Sequence, residues 1–518
     1  MNNRRDFSAH STDQYGVRYK RTLTLELEVC HHLRQGISGN IGGAEWRFLM
    51  SEGADFVGKC YDANAYEQVC RRKIRNLNGK LLSVQIGGVQ NVFGIRQSAV
   101  VSYSVLKPEQ TALFGEFAVK TANRRSALRA FVPISEDIRK VSFFYNFASH
   151  LSAKDDWMCV SVEIDDVVHV FNGIRYVDGG VKFLAYQHTP RGAQHYLVIE
   201  ALDPIGYDVF KMRVLKAISA IGFCTSLYHY GPMYVFNSST HRMIAYNGCV
   251  QEACSARYKM FSLNPYEYYS DEDLKPDVGK QLEPSLKPIT MSQFEKLLLY
   301  LDNAEFCDLY YAYENVLTRM SGAPINARLV VYSSCLEMAR RWTLTLPSQD
   351  EAKGRKRDME ALLTKKVRQK IDGSIKRILR EHGDELSDSD VGIVQKRMGG
   401  LYTRANKDQL KYAFAYFGIG LSKRDNAVLN MRNRILHGDN VIHSKFDPQH
   451  PGGRYMEESE QLCFDFHVLI WRLIMVAIGY NGKYRNVALL DRLFRKNRKC
   501  GGKPLARSVR GRTCKNST

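Results

Sequence analysis

Arg432, Asn433 and His437 lie within six residues near the carboxyl-terminal end of the chain, and their side chains suit chemistry on a phosphodiester. An arginine can hold a phosphate through two parallel hydrogen bonds and stays charged at every working pH. A histidine is the side chain best suited to accept and donate a proton near neutral pH. Together, these residue types could cleave RNA without a metal ion.

The local sequence predicts a helix that carries these three residues. Residues 422–425 (Ser-Lys-Arg-Asp) have the form of a capping box, which predicts a helix start, and Gly438 is suited to end the helix. Between them, the helical period separates a polar stripe, an apolar face and a second apolar strip: Asn426, Asn430, Asn433 and His437; Val428, Met431 and Ile435; Leu429 and Leu436. We therefore expect a helix buried on two sides with one polar seam.

Arg432 does not share the stripe of His437, because five residues of helix rotate it roughly 140° away. Either Arg432 reaches around the helix, or the helix loosens at Gly438, or the site is shared across a dimer. A non-catalytic alternative is that both side chains complement the negative end of the helix dipole. The same arginine–histidine spacing occurs at Arg377 and His382, in a strongly charged stretch, so spacing alone does not identify a catalytic pair.

The pattern Arg432-Asn433-x-x-x-His437 resembles the signature of the HEPN superfamily (higher eukaryote and prokaryote nucleotide-binding). Members are α-helical bundles, often dimeric, and many are metal-independent ribonucleases. Residues 333–339 are similar to the Leu-Glu segment in the second helix of abortive-infection-type members. The resemblance covers roughly residues 291–480. A β-rich amino-terminal half before such a bundle is similar in layout to the ApeA-type phage-defence proteins.

The resemblance implies a role for each of the three residues. His437 would act as general base or acid at the ribose 2′-hydroxyl and the leaving 5′-oxygen. Arg432 would hold the scissile phosphate and stabilise its developing charge, and Asn433 would orient the phosphate or His437. The products would carry 2′,3′-cyclic phosphates, and the cleft would form between two copies of the chain. Some HEPN domains only bind nucleotides or partners.

Composition favours a polyanionic partner. The 518 residues carry a net charge of +20, which points first to nucleic acid such as RNA, tRNA included. Residues 485–518 hold eleven Lys and Arg against one acid, and residues 351–383 hold eleven against five. Both segments could contact the phosphate backbone, although residues 351–383 could equally form a solvated helix face.

The pattern of the chain predicts an α+β multidomain protein. We expect a disordered leader at 1–16, a β-rich sensor or regulatory region at 17–263, and a linker at 264–290. The β-rich region would be a barrel or a sandwich, either as one domain or as two subdomains divided near residue 125. A helical HEPN-like domain at 291–484 and a basic tail at 485–518 follow.

Expected strands are 22–29, 80–86, 99–105, 141–147, 167–171, 181–186 and 196–202, with a hairpin turn at Gly179-Gly180. Expected helices are 207–221, one from a second capping box at 292–295, and 325–345, 355–382, 387–417, 422–437 and 456–480. Glycine-rich residues 36–43 are expected to form a mobile loop.

The sequence suggests no cofactor and no structural metal site, because the twelve cysteines include no Cys-x-x-Cys pair. The apolar run at 473–478 is too short to span a membrane, so a cytoplasmic protein without a membrane partner is expected. The leading hypothesis is a metal-independent endoribonuclease, a toxic antiphage effector restrained by its amino-terminal half, on which a phage-derived trigger would act. The alternatives are a non-catalytic adaptor that binds nucleic acid or nucleotides and dimerises through its bundle, or a metal-dependent nuclease.

Overall fold

A computed structural model describes a large part of the chain, which divides into two compact units, Met1–Leu299 and Tyr300–Thr518. The described residues are 18–41, 43–50, 56–60, 77–86, 89–104, 109–134, 159–165, 167–190, 195–225, 227–228, 232–248, 254–255, 289–320, 322–347, 365–382, 387, 406–436, 453–480 and 488. The expected leader, the strand at 141–147, the linker except residues 289–290, and the basic tail except Ala488 therefore lie outside them.

Most of the described amino-terminal unit is β-structure. Its strands are β1 (Arg18–Arg21), β2 (Ile37–Ile41), β3 (Ala44–Met50), β4 (Phe56–Cys60), β5 (Leu81–Ile86), β6 (Val89–Ser104), β7 (Glu109–Ala118), β8 (Leu128–Ile134), β9 (Cys159–Ile164), β10 (Val167–Asp178), β11 (Val181–His188), β12 (His195–Ala201), β13 (Leu227–Tyr228), β14 (Met233–Asn237), β15 (Met243–Asn247) and β16 (Cys254–Ser255). Its helices are α1 (Thr24–Gln35), α2 (Tyr207–Thr225) and the first nine residues of α3 (Met291–Leu301).

Six strands close into an antiparallel barrel. Around the ring, β2 pairs with β3, β3 with β4, β4 with β7, β7 with β6, β6 with β5, and β5 with β2. Aromatic rings fill its interior: Phe48 lies edge-on to Phe114 at 5.2 Å, and Phe93 lies edge-on to Phe117 at 5.0 Å. Of the two β architectures predicted from the sequence, the structure contains a barrel.

The prediction of a mobile loop at residues 36–43 is wrong, because Ile37–Ile41 is strand β2 of the barrel. Gly39 pairs with Val84 across β2 and β5. A Cβ atom on Gly39 would lie 2.4 Å from the Val84 Cγ1 and 2.8 Å from the Ser83 carbonyl oxygen. The glycine is therefore needed for the close approach of two strands rather than for mobility.

Eight of the remaining strands continue the sheet beyond β7 in the order β15-β14-β8-β12-β11-β10-β9-β1, and β1–β9 is the only parallel pair among the described strands. Strands β13 and β16 pair with each other in a separate antiparallel sheet. The hairpin turn expected at Gly179-Gly180 is confirmed. Both glycines have positive φ, +57° and +77°, and they join β10 to β11 as a two-residue turn. The strands expected at 80–86, 99–105, 167–171, 181–186 and 196–202 are also found, several of them longer than predicted.

The strand predicted at residues 22–29 is wrong: helix α1 begins at Thr24. The alternation of leucines suggested a strand, yet Leu25 is 55% exposed. The buried positions are Glu26, Cys30 and Leu33, which recur with the helical period. A buried carboxylate needs a partner, and Glu26 receives it from Arg129 of β8, so a distant contact favours the helix over the strand.

The described part of the carboxyl-terminal unit is helical. After the end of α3, its helices are α4 (Ala304–Leu317), α5 (Ile325–Thr345), α6 (Lys365–Glu381), α7 (Asn406–Tyr416), α8 (Lys423–Leu436) and α9 (Gly453–Ala477). Helix α5 is central, since it packs against α4, α7, α8 and α9. Its Tyr332 stacks on Phe466 of α9 with ring centroids 6.2 Å apart, and Trp342 stacks on Phe417 at 5.3 Å. The coarse prediction of a β-rich half followed by a helical region is confirmed.

Helix α3 does not begin with the capping box that was expected at residues 292–295. Instead, the Thr290 Oγ1 accepts from the backbone N–H of Gln293, and the Gln293 side chain accepts from the N–H of Thr290. The reciprocal bonds of a capping box thus form two residues earlier. The side chain of Glu295 has another role, accepting a hydrogen bond of 2.7 Å from the backbone N–H of Val177.

Helix α6 has many exposed side chains, including Lys370, Lys376 and Arg377. This exposure agrees with a solvated basic helix face, one of the two interpretations given above for residues 351–383. None of the helices within the described ranges is both long enough and apolar enough to cross a membrane.

Candidate functional site

Helix α8 places the candidate residues, and its start follows the sequence closely. The Ser422 Oγ accepts from the N–H of Asp425 at 3.1 Å, and the Asp425 Oδ2 accepts from the N–H of Ser422 at 2.8 Å. These are the two bonds of a capping box, so the predicted helix start is confirmed. Since α8 begins at Lys423 and runs to Leu436, Arg432 and Asn433 lie in its last two turns.

Two ion pairs hold the start of α8 against α9. Arg424 donates through Nε and Nη2 to the Oδ2 of Asp465, at 2.8 and 2.6 Å. Asp425 accepts from the Nη2 of Arg472 at 3.0 Å with the same oxygen that caps the helix. The Asp465 side chain is only 4% exposed, so its pairing with Arg424 is required rather than incidental. These contacts fix the position from which the rest of α8 extends.

The buried face of α8 differs from the one predicted. Val428, Leu429, Arg432 and Ile435 are buried, whereas Leu436 is 37% exposed. The second apolar strip therefore does not reach the helix end, and the expectation of a helix buried on both sides is wrong at Leu436. Arg432 belongs to the buried face itself, which the sequence pattern had assigned to apolar residues alone.

Arg432 forms an ion pair with Glu337 of helix α5. The second carboxylate oxygen of Glu337 accepts from the Nε of Arg340 at 3.2 Å, so one carboxylate bridges two guanidinium groups. Burial lowers the pKa of Arg432, the charge of Glu337 counteracts that effect, and the nearby Arg340 adds to the lowering. Arg432 nevertheless remains a cation, because the ordinary pKa of arginine is so high.

Glu337 belongs to residues 333–339, the second segment on which the family resemblance depends. The two segments that suggested a HEPN-type domain thus lie side by side in the helical unit, joined through Arg432 and Glu337. Sequence spacing could not have identified this partner for Arg432. The available signal was a glutamate within a helix rich in buried residues, where an unpaired carboxylate is costly.

The structure places only part of the predicted site. Arg432 is described in full, the backbone of Asn433 lies in α8, and the Asn433 side chain and all of His437 lie outside the described residues. Their assignment as a catalytic set therefore stays a prediction. Among the described residues, no group of three or more His, Cys, Asp and Glu side chains is arranged to hold a metal ion.

His467 of α9 is a buried histidine of the helical unit, and its environment is structural. Its Nδ1 lies 2.9 Å from the Tyr313 hydroxyl, and the two rings stack with centroids 5.5 Å apart. Complete burial lowers its pKa to about 3, so the imidazole is neutral at every physiological pH. A group with that pKa would be a poor general base near neutrality, and His467 is instead part of the helical core.

No protein-family model, curated protein or solved structure matches the chain. The function must therefore be inferred from the residues and their contacts.

Proposed function

We propose that the carboxyl-terminal helical unit is a HEPN-type, metal-independent endoribonuclease. The observation that carries the proposal is the contact between Arg432 and Glu337, which joins the two segments that resemble the family. In this proposal His437 transfers protons at the ribose 2′-hydroxyl and the leaving oxygen. Arg432 stabilises the charge that develops on the phosphate, and Asn433 orients the reacting groups.

Two further elements of the proposal follow from the family resemblance. The cleft forms across a homodimer, with RNA, tRNA included, as substrate and 2′,3′-cyclic phosphates on the products. The enzyme acts as a toxic effector in phage defence, restrained by the β-rich half until a phage-derived trigger arrives. The net charge of +20 supports a polyanionic substrate.

A second candidate function is a non-catalytic adaptor that binds nucleic acid or nucleotides and dimerises through the helical unit. One observation favours it. The guanidinium of Arg432 is already engaged by a carboxylate, as expected for an arginine whose role is to hold α5 and α8 together. In that case substitution of Arg432 would lower stability rather than remove an activity.

The test is to incubate purified wild-type protein with total RNA and with tRNA in EDTA, and to map the cut ends. We expect cleavage that leaves 2′,3′-cyclic phosphates, and its loss in both His437→Ala and Arg432→Ala. The chain supplies a matched control, since the exposed Arg377 of α6 and the exposed His382 directly after it have the same spacing. Arg377→Ala and His382→Ala should cleave as wild type does.

The results separate the candidates. Cleavage that survives in a folded His437→Ala variant would contradict the assigned chemistry. RNA binding without cleavage, together with lower melting temperatures for both site variants, would favour the adaptor. Cleavage that appears only when a divalent metal is added would favour a metal-dependent nuclease instead.

A further inference from the structure

A polar cavity of about 380 Å³ lies in the amino-terminal unit, within the size range of small-molecule sites. Its lining comes from the end of β1, from β8 and β12, and from the turn between β14 and β15. Half of the ten lining residues are ionisable, in contrast to the mostly apolar walls of an ordinary pocket: Lys20, Arg21, Arg129, Glu200 and His241.

Glu200 lies between two guanidinium groups. Arg129 is its cross-strand neighbour on β8 and donates from Nε to the Glu200 Oε2 at 2.8 Å. Arg21 of β1 donates from its Nε to the other oxygen, Oε1. Arg129 is 3% exposed and Glu200 is 2% exposed. Both oxygens of this buried carboxylate are therefore engaged by protein cations.

Arg129 reaches a second buried carboxylate beneath the cavity. Its Nη1 lies 2.8 Å from each oxygen of Glu26, a fully buried residue of α1. The His241 Nδ1 lies 3.4 Å from the Glu26 Oε1. His241 has a positive φ of +56°, a conformation uncommon for residues other than glycine, and the turn holds its ring beside the cavity.

In this cluster the carboxylate oxygens all accept hydrogen bonds, whereas the arginines keep donors for which the described residues offer no acceptor. Each oxygen of Glu26 and of Glu200 accepts from an arginine, whereas the Nη2 groups of Arg21 and Arg129 have no hydrogen-bond acceptor within the described part of the chain. The Lys20 side chain at the rim is 73% exposed, and its Nζ lies 3.5 Å from the Glu163 carboxylate. The cations Lys20, Arg21 and Arg129 are balanced by the carboxylates Glu26, Glu163 and Glu200, so the cavity keeps guanidinium donors without an acceptor in the described residues rather than an excess of charge.

Such an arrangement matches an anion better than a neutral molecule. The guanidinium fork fits the paired oxygens of a phosphate or a carboxylate, and a buried arginine held by two glutamates cannot turn away from its ligand. Burial of the three ionisable groups Glu26, Arg129 and Glu200 is costly, and a fold keeps such a cluster only where its charges are paired. An acceptor group on a ligand would satisfy donors that the described protein residues leave unused.

We propose that this cavity binds a small molecule through an oxyanion group, a phosphate or a carboxylate, which contacts Arg21, Arg129 and Lys20. The site belongs to the amino-terminal unit. It is independent of whether the helical unit cleaves RNA, because its test measures binding alone.

The experiment is isothermal titration calorimetry of the full-length protein at constant ionic strength, with four probes. Inorganic phosphate and malonate compare the two oxyanions, and adenosine monophosphate and adenosine compare one molecule with and without its phosphate. Arg129 is unsuitable for substitution, because its loss would leave the buried Glu26 without its arginine and Glu200 with only one of its two. Arg21→Gln keeps the Arg129–Glu200 pair, and Lys20→Gln changes a largely exposed side chain. Lys80→Gln, at an exposed position before β5, is the matched control.

We expect at least one oxyanion probe to bind wild type and Lys80→Gln equally, and adenosine to bind neither. Loss of a charge-assisted contact should weaken binding to Arg21→Gln by about tenfold or more. Preference for phosphate over malonate, or the reverse, would identify the oxyanion. The proposal is overturned if no oxyanion probe binds folded wild type, or if Lys20→Gln and Arg21→Gln both bind as wild type does. If Arg21→Gln does not fold, as judged by circular dichroism, Lys20→Gln carries the test.

Discussion

The ion pair between Arg432 and Glu337 offers the sharpest test of what Arg432 does. Arg432 is 9% exposed, whereas the Glu337 side chain is 26% exposed and keeps Arg340 as a second partner. The coupling energy should therefore lie between that of a surface pair, below about 1 kcal/mol, and the cost of breaking a buried pair, about 3–5 kcal/mol. We expect about 1–2 kcal/mol of coupling between the two side chains.

A double-mutant cycle measures this coupling in the full-length protein. Native-state hydrogen exchange of peptides covering α8 gives the free energy of local opening for wild type, Arg432→Ala, Glu337→Gln and the double variant. Peptides from barrel strand β3, in the other unit, serve as the internal reference. Each single variant should lower protection of α8, and the double variant should lower it by less than the sum.

Cleavage assays on the same four proteins then separate the two functions. If Arg432 acts on the scissile phosphate, Arg432→Ala loses cleavage, whereas Glu337→Gln retains it because the guanidinium is still present. If Arg432 only joins two helices, any activity should follow stability and fall in both variants alike. A coupling energy below about 0.3 kcal/mol would refute the premise that the contact contributes to the structure in solution.

Two further predictions concern stability. Burial lowers the pKa of His467 in the folded protein to about 3, whereas an unfolded histidine has a pKa of about 6.5. As the pH falls, the unfolded state therefore takes up a proton before the folded state does. The contribution of His467 to the free energy of unfolding is complete above pH 6.5 and is lost as the pH falls toward 3. At pH 5 the loss should be about 2 kcal/mol, and urea denaturation at pH 7 and pH 5 should show a smaller difference for His467→Gln than for wild type. Ser422→Ala should weaken the first turn of α8 by about 1 kcal/mol in hydrogen exchange, and unchanged protection there would contradict the capping bonds.

Features set by neighbouring residues could be predicted from the sequence. The Gly179-Gly180 turn requires two positive φ angles, which glycine adopts without strain, and the capping box at Ser422 needs only its own four residues. Five apolar residues recur at near-helical spacing in the sequence that follows the linker, and all are buried: Phe294, Leu297, Leu298, Leu301 and Phe306. In these segments, local chemistry and tertiary packing favour the same structure.

Features set by distant partners could not be predicted. The alternating leucines of residues 22–29 fit a strand, and only the buried pair of Glu26 with Arg129, 103 positions away, favours a helix. Closure of the barrel depends on the pairing of β2 with β5 and of β6 with β7, which no local pattern specifies. The charge cluster around Glu200 is only weakly indicated by the sequence. Arg129 stands in the mostly apolar strand β8 and Glu200 in the mostly apolar strand β12, so each charge needs a partner.

The two ends of α8 are held differently, and this difference bears on the proposed chemistry. At its start, the capping bonds and the pairs of Arg424 with Asp465 and Asp425 with Arg472 all act within one turn. Near its end, Arg432 is held by Glu337, a carboxylate that would keep Arg340 if it released Arg432. An RNA phosphate offers Arg432 the same kind of partner that Glu337 does, so exchange would cost little more than the difference between two similar charge-assisted contacts. A helix fixed at its start could therefore present Arg432 to a substrate without moving as a whole.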